Sequence, residues 1–109
     1  MKDPQQAATI QIDHVVSLFN AWVSGAASWE PKRRVQFAHD LSVPELVAVA
    51  GSINFTKSYR GPESWRPATP YQCDFARSVV EVKRAYDLSV TPAEAAALND
   101  MLGRCAPTP

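Results

Sequence analysis

The chain predicts an α+β fold, mostly helical: a two-stranded sheet with helices inserted between its strands, followed by an antiparallel helical hairpin. Three observations carry this. Apolar and polar residues alternate across Ala8-Thr9-Ile10-Gln11-Ile12, the period of a half-buried strand. A second run, Glu45 to Ala50, is apolar with little alternation and reads as a buried strand. Two later segments place Phe75, Val79, Val82 and Tyr86, then Ala95, Leu98 and Leu102, at helical spacing on either side of a short linker. With 109 residues, 46% hydrophobic and 20% charged, the chain suffices for one domain around one core.

Residues 1–7 are polar, contain Pro4 and predict a flexible leader. After the first strand, Leu18 to Ser24 predicts a short helix with Leu18, Phe19, Trp22 and Val23 on one inward face and Gly25 as its stop. Ser28 is the expected N-cap of the next helix, which has Pro31 in its first turn, turns Val35, Phe37 and Ala38 inward, and ends before Pro44. Its basic triplet Lys32-Arg33-Arg34 belongs on the outer side, as solvated surface.

Beyond the second strand, Gly51 turns the chain and Ser52 is expected to cap a short helix that carries Asn54 and Lys57 on one face. Residues 61–70 hold three prolines and form an irregular crossover, in which Trp65 plugs the core rather than stacking on a base. Tyr71 to Tyr86 and Thr91 to Leu102 are the hairpin helices. Thr91-Pro92-Ala93-Glu94 supplies an N-cap, a first-position proline and a capping-box Glu. The short linker Asp87 to Val90 makes the helices antiparallel. A single domain over 1–109 thus divides into the leader, a strand-and-helix unit over 8–60 and a hairpin over 70–105.

Eleven basic and eleven acidic side chains cancel, which argues against a strong sequence-independent grip on nucleic acid. A local basic face from Lys57, Arg60 and Arg66 remains compatible with contact to a polyanion. No apolar run approaches membrane-spanning length, and no basic-then-apolar signal precedes the first strand.

The candidate chemistry lies at the end of the first strand. A strand end fixes both Asp13 and His14 and sends their side chains to opposite sides of the backbone. Together with Asn54 and Lys57 they make the set a single-metal phosphodiesterase needs: a carboxylate and an amide oxygen for a hard cation, an imidazole base for water, and a cation near phosphate. The plain alternative for the Asp-His pair is a hydrogen-bonded strand terminus.

The order of motifs resembles the HNH endonuclease family, in a branch where Asp-His-Val-Val-Pro-Leu leads into a helix with Ala-Trp-x-Ser-Gly. Here the stretches are Asp13-His14-Val15-Val16-Ser17-Leu18 and Ala21-Trp22-Val23-Ser24-Gly25. There follow Arg34, Phe37-Ala38-His39-Asp40, Glu45-Leu46-Val47-Ala48-Val49-Ala50, Ser52-Ile53-Asn54-Phe55-Thr56-Lys57-Ser58-Tyr59 and Pro62-Glu63-Ser64-Trp65. The resemblance implies a ββα-type metal unit with a helical insertion. It assigns His14 and Lys57 as catalytic, with His14 the general base and Lys57 on phosphate. Asp13 and Asn54 become ligands of Mg²⁺ or a similar ion such as Mn²⁺, Ni²⁺ or Zn²⁺, and Lys57, Arg60 and Arg66 contacts to DNA.

Three positions depart from the family: Glu45 replaces the middle Asn, Ala50 an Asp and His39 the Asn of Phe-Ala-Asn-Asp. Glu45 and His39 would thus stand behind the metal residues as supports, with altered charge and geometry. Ser17 in place of Pro and Ser58-Tyr59 in place of Gly-Asp are further drift. A second implied function is therefore a non-cutting HNH scaffold that binds a protein or DNA partner.

Cys73 and Cys105 lie at similar distances from the hairpin linker, which places both at its open end. Two cysteines by themselves leave a free buried pair open, but the family's matching pair implies a disulfide worth about 3 to 4 kcal/mol. No Cys-x-x-Cys pair exists for a zinc-knuckle site. The cysteine pair points to an oxidising setting and the lack of a signal to a cytosolic or phage-borne one; the sequence leaves both open.

Overall fold

The computed structural model describes residues 10–106; the predicted leader and the Ala8-Thr9 start of the first strand lie outside the described residues. The fold is α+β. Strand β1 (Ile10–His14) pairs antiparallel with β2 (Leu46–Ala50), Ile10 opposite Ala50 and His14 opposite Leu46. Alternation puts Gln11 and Asp13 on one face and Ile10, Ile12 and His14 on the other. Ile10 and Ile12 are largely exposed, so β1 buries its polar Asp13 rather than the isoleucines. The second strand is likewise half-open, with Val47 and Ala48 at the surface.

Helix α1 (Leu18–Val23) is capped by Ser17, whose Oγ accepts from the Asn20 N–H at 3.0 Å. Its inward face is the reverse of the one predicted: Leu18, Phe19, Trp22 and Val23 are exposed, while Asn20 and Ala21 are buried. Six residues are too few to impose an apolar stripe. The face is chosen instead by the Asn20 amide, which donates to Glu94 Oε2 at 2.7 Å, and by the small Ala21. Gly25 ends this segment at φ 149°, a conformation that disfavours any side chain, with the Leu88 side chain just above it.

A 3-10 turn at Ala26–Ser28 precedes α2 (Pro31–Ala38). Glu30, not Ser28, occupies the cap position, because Ser28 is already spent inside the turn. Only Phe37 of this helix is buried; Val35 is exposed. Phe37 meets Tyr86 edge-on at 5.0 Å and Trp29 at 5.9 Å. The basic triplet is more than solvated surface: Arg33 lies 4.6 Å over the Trp29 ring, and Arg34 donates to the Ala26 carbonyl at 3.0 Å.

Helix α3 (Gly51–Lys57) starts directly after β2, with Ala50 at its cap, so Gly51 is helical and Ser52 caps nothing. The crossover leads through a 3-10 turn, Thr69–Tyr71, into α4 (Gln72–Ala85), which returns against α5 (Pro92–Leu102). Trp65 packs edge-on to Phe75 at 5.5 Å. The predicted capping box is present: Thr91 Oγ1 accepts from the Glu94 N–H at 3.1 Å, and Glu94 Oε1 from the Thr91 N–H at 2.9 Å. Ala76, Val79, Val82 and Tyr86 build the core with Ala97, Leu98 and Met101, while Ala95 and Leu102 are only half-buried. Cys73 and Cys105 form the disulfide across the open end, Cα atoms 5.0 Å apart.

Candidate functional site

The sheet and α3 bring the predicted site residues to one end of β1. Asp13, His14 and Asn54 line a single open pocket of about 300 Å³, with Ser17, Phe19 and Tyr59 on its rim. The three residues come from the end of β1 and from the middle of α3, which lies against the sheet because it follows β2 without a loop.

His14 is half-buried, and its Nε2 lies 3.0 Å from the Ala38 carbonyl at the end of α2. A carbonyl only accepts, so this bond requires the hydrogen on Nε2 and leaves Nδ1 of the neutral ring as the nitrogen with a lone pair. The helix inserted between the strands therefore sets the tautomer of the candidate base. Sequence reasoning missed this contact because a main-chain carbonyl leaves no mark in residue identity. His39 itself does not support His14: its Nδ1 bonds the Val35 carbonyl of its own helix at 3.0 Å.

Lys57 occupies a different place from that of a phosphate contact. Only 1% exposed, it sets its Nζ 2.9 Å from Asp13 Oδ2 and donates to the His14 carbonyl at 2.6 Å. The Trp65 ring lies 5.9 Å from the same nitrogen. One ammonium thus fixes the side chain of the first member of the pair and the backbone of the second. Asn54 donates through Nδ2 to Gln11 Oε1 at 2.9 Å. Among the described residues, Asp13 Oδ1 and the Asn54 amide oxygen have no protein partner.

Glu45 stands immediately before β2 with no exposed surface. Its carbonyl accepts from the Val15 N–H at 2.6 Å and its Oε1 from the Val16 N–H at 2.7 Å, so it holds the turn that follows His14. Burial pushes the Glu45 carboxyl up to about 8, against the pull of the Val16 N–H and the Lys57 charge. It is therefore a neutral acid at neutral pH, and Oε2 has no partner among the described residues. A neutral acid offers one accepting oxygen and one O–H donor, the polarity pattern of a side-chain amide.

The predicted basic face does not assemble. Arg60 is exposed beside the pocket, but Arg66 pairs with Asp100 on α5. A buried polar group escaped prediction altogether: Lys83 Nζ lies 3.4 Å from Glu94 Oε2, the oxygen that also receives Asn20. Burial raises the Glu94 pKa, but hydrogen bonds from Asn20 and the Thr91 N–H, with the Lys83 charge, outweigh it and hold the carboxyl low. Burial lowers Lys83.

Fold and site define a small α+β protein, disulfide-bridged, with an open polar pocket where β1 meets α3. No family model matches the chain, and no solved structure matches it. It is similar to a protein of Arthroderma benhamiae described as an uncharacterized secreted protein, 52% identical over 100 residues. The match covers 91% of this chain and 49% of that protein, so the chain spans about half the length of this curated relative.

Proposed function

We propose that the protein is an HNH-type, divalent-metal-dependent nuclease that hydrolyses phosphodiester bonds. The observation that carries the reading is the convergence of Asp13, His14 and Asn54 on one open pocket. The donors suit a hard ion that keeps several waters: a carboxylate oxygen of Asp13 and the amide oxygen of Asn54 have no protein partner among the described residues, and both are hard oxygen ligands. Asp13 and Asn54 would hold such an ion, Mg²⁺ or Mn²⁺ in character. When bound, the ion supplies Lewis-acid stabilisation of the charge that develops on phosphate.

The chain's own residues do the rest. His14 accepts a proton from water at Nδ1 while Nε2–H stays on the Ala38 carbonyl, which holds the ring still. Lys57 positions Asp13 and His14 rather than touching substrate. Glu45 keeps the following turn in place. A second reading, a scaffold that binds a protein or nucleic acid without cutting, draws support from Lys57, which is buried on Asp13 rather than free for phosphate. The disulfide and the description of the similar protein as secreted support an oxidising compartment.

Plasmid DNA incubated with the protein and Mg²⁺ or Mn²⁺ is expected to be nicked, and chelator to stop it. His14→Ala should lower the rate by about 10² to 10⁴ without loss of fold. Equal nicking by the wild type and His14→Ala overturns the assignment, and metal binding without any nicking selects the scaffold reading.

A further inference from the structure

Next to the candidate pocket lies a second one of about 550 Å³, and Asn54, Ser58 and Tyr59 line both, so the two adjoin as a groove divided by these shared residues. Its walls are unusual in what they expose. Phe55 is 74%, Tyr59 64% and Phe19 55% exposed, and Phe19 meets Tyr59 edge-on at 5.6 Å. None of these rings belongs to the core. The Tyr59 backbone is held from beneath, since Ser17 Oγ donates to its carbonyl at 2.9 Å and Ser58 before it sits at φ 50°, ψ −131°. Arg60 lines the larger pocket, makes no ion pair among the described residues, and no carboxylate lines that pocket with it.

Resting on the nuclease reading, we infer that this groove binds unpaired, single-stranded nucleic acid, with bases stacked on Phe55 and Tyr59 and one phosphate on Arg60. Duplex binding relies on several Lys and Arg neutralising phosphates, and here Arg60 is the one such side chain lining the groove among the described residues. Lys57 is buried on Asp13, Arg66 and Arg104 face Asp100, and the net charge is zero. Stacking on aromatic rings needs no net charge, but it needs base faces free, and only unpaired strands present them. DNA and RNA share that chemistry.

Fluorescent twelve-nucleotide strands of thymidine or uridine, and a DNA duplex of equal length, are titrated with the wild-type protein in chelator while anisotropy is read. The inference expects single strands to bind at least tenfold more tightly than duplex, with a shallow salt dependence of about one phosphate contact. Phe55→Ala and Tyr59→Ala should each weaken binding about five- to hundredfold, the effect of one lost base stack, and Tyr59→Phe should restore it. Equal or tighter duplex binding, or unchanged affinity in both alanine variants with melting temperatures retained, overturns it. Cleavage of the same single strands by the wild type with Mg²⁺ or Mn²⁺, measured in parallel, reports on the nuclease reading alone: stacking without cleavage sinks only the catalysis, and cleavage without stacking sinks only the groove.

Discussion

The ammonium of Lys57 and the carboxylate of Asp13 sit 2.9 Å apart with both side chains almost wholly out of water. Removing one partner of such a pair strands the other as an uncompensated buried charge.

Lys57→Met should therefore cost about 3 to 5 kcal/mol of stability, read as a shift in the urea midpoint. Adding Asp13→Asn to it should recover more than half of the loss, since the two positions act as a unit. A cost below about 1 kcal/mol, the range of an exposed pair, would return Lys57 to a surface role.

Glu45 predicts a pH dependence. Its pKa rises from 4.5 to about 8 on folding, so the folded state favours the protonated acid. Its stabilising share is complete below 4.5, declines as pH rises, and is gone above about 8. The difference in unfolding free energy between wild type and Glu45→Gln should change by about 3 to 5 kcal/mol between pH 5 and pH 9, with the wild type losing ground at high pH. Parallel profiles for the two proteins would mean that Glu45 is solvated and ionised.

Ser58 holds a positive φ of 50° at the exit of α3, where the resembled family has glycine. A side chain there costs of order 1 to 3 kcal/mol that glycine avoids, partly offset by glycine's greater freedom when unfolded. Ser58→Gly should raise stability by about 1 kcal/mol, seen as an increase in melting temperature. A decrease would show that the Ser58 side chain contributes a contact in solution.

What the residues announced in advance was local. Thr91 to Glu94 contains its own capping box and Ile10 to Asp13 alternates as a strand, whereas the Cys73–Cys105 bridge is implied by the resemblance and only made compatible by the hairpin spacing. What they concealed was burial of charge. Nothing near Lys57 foretells that its partner lies on the first strand, and nothing near Glu45 shows that the turn after His14 will bond it. Periodicity misled at α1 for a related reason: on a six-residue helix one buried amide outweighed four apolar side chains. Arg66 was placed beside the site by proximity in sequence, whereas the proline-rich crossover carries it to Asp100.

The trio Asn20, Glu94 and Lys83 joins α1 to the hairpin through directed bonds between buried polar groups. Greasy surfaces tolerate sliding by a fraction of an ångström; donors and acceptors at 2.7 Å do not. Because α1 begins four residues after His14, this triad works as an alignment pin: the segment that leaves the end of β1 is tied down by a carboxylate eighty residues further along the chain than His14, on a helix that contributes no residue to the pocket.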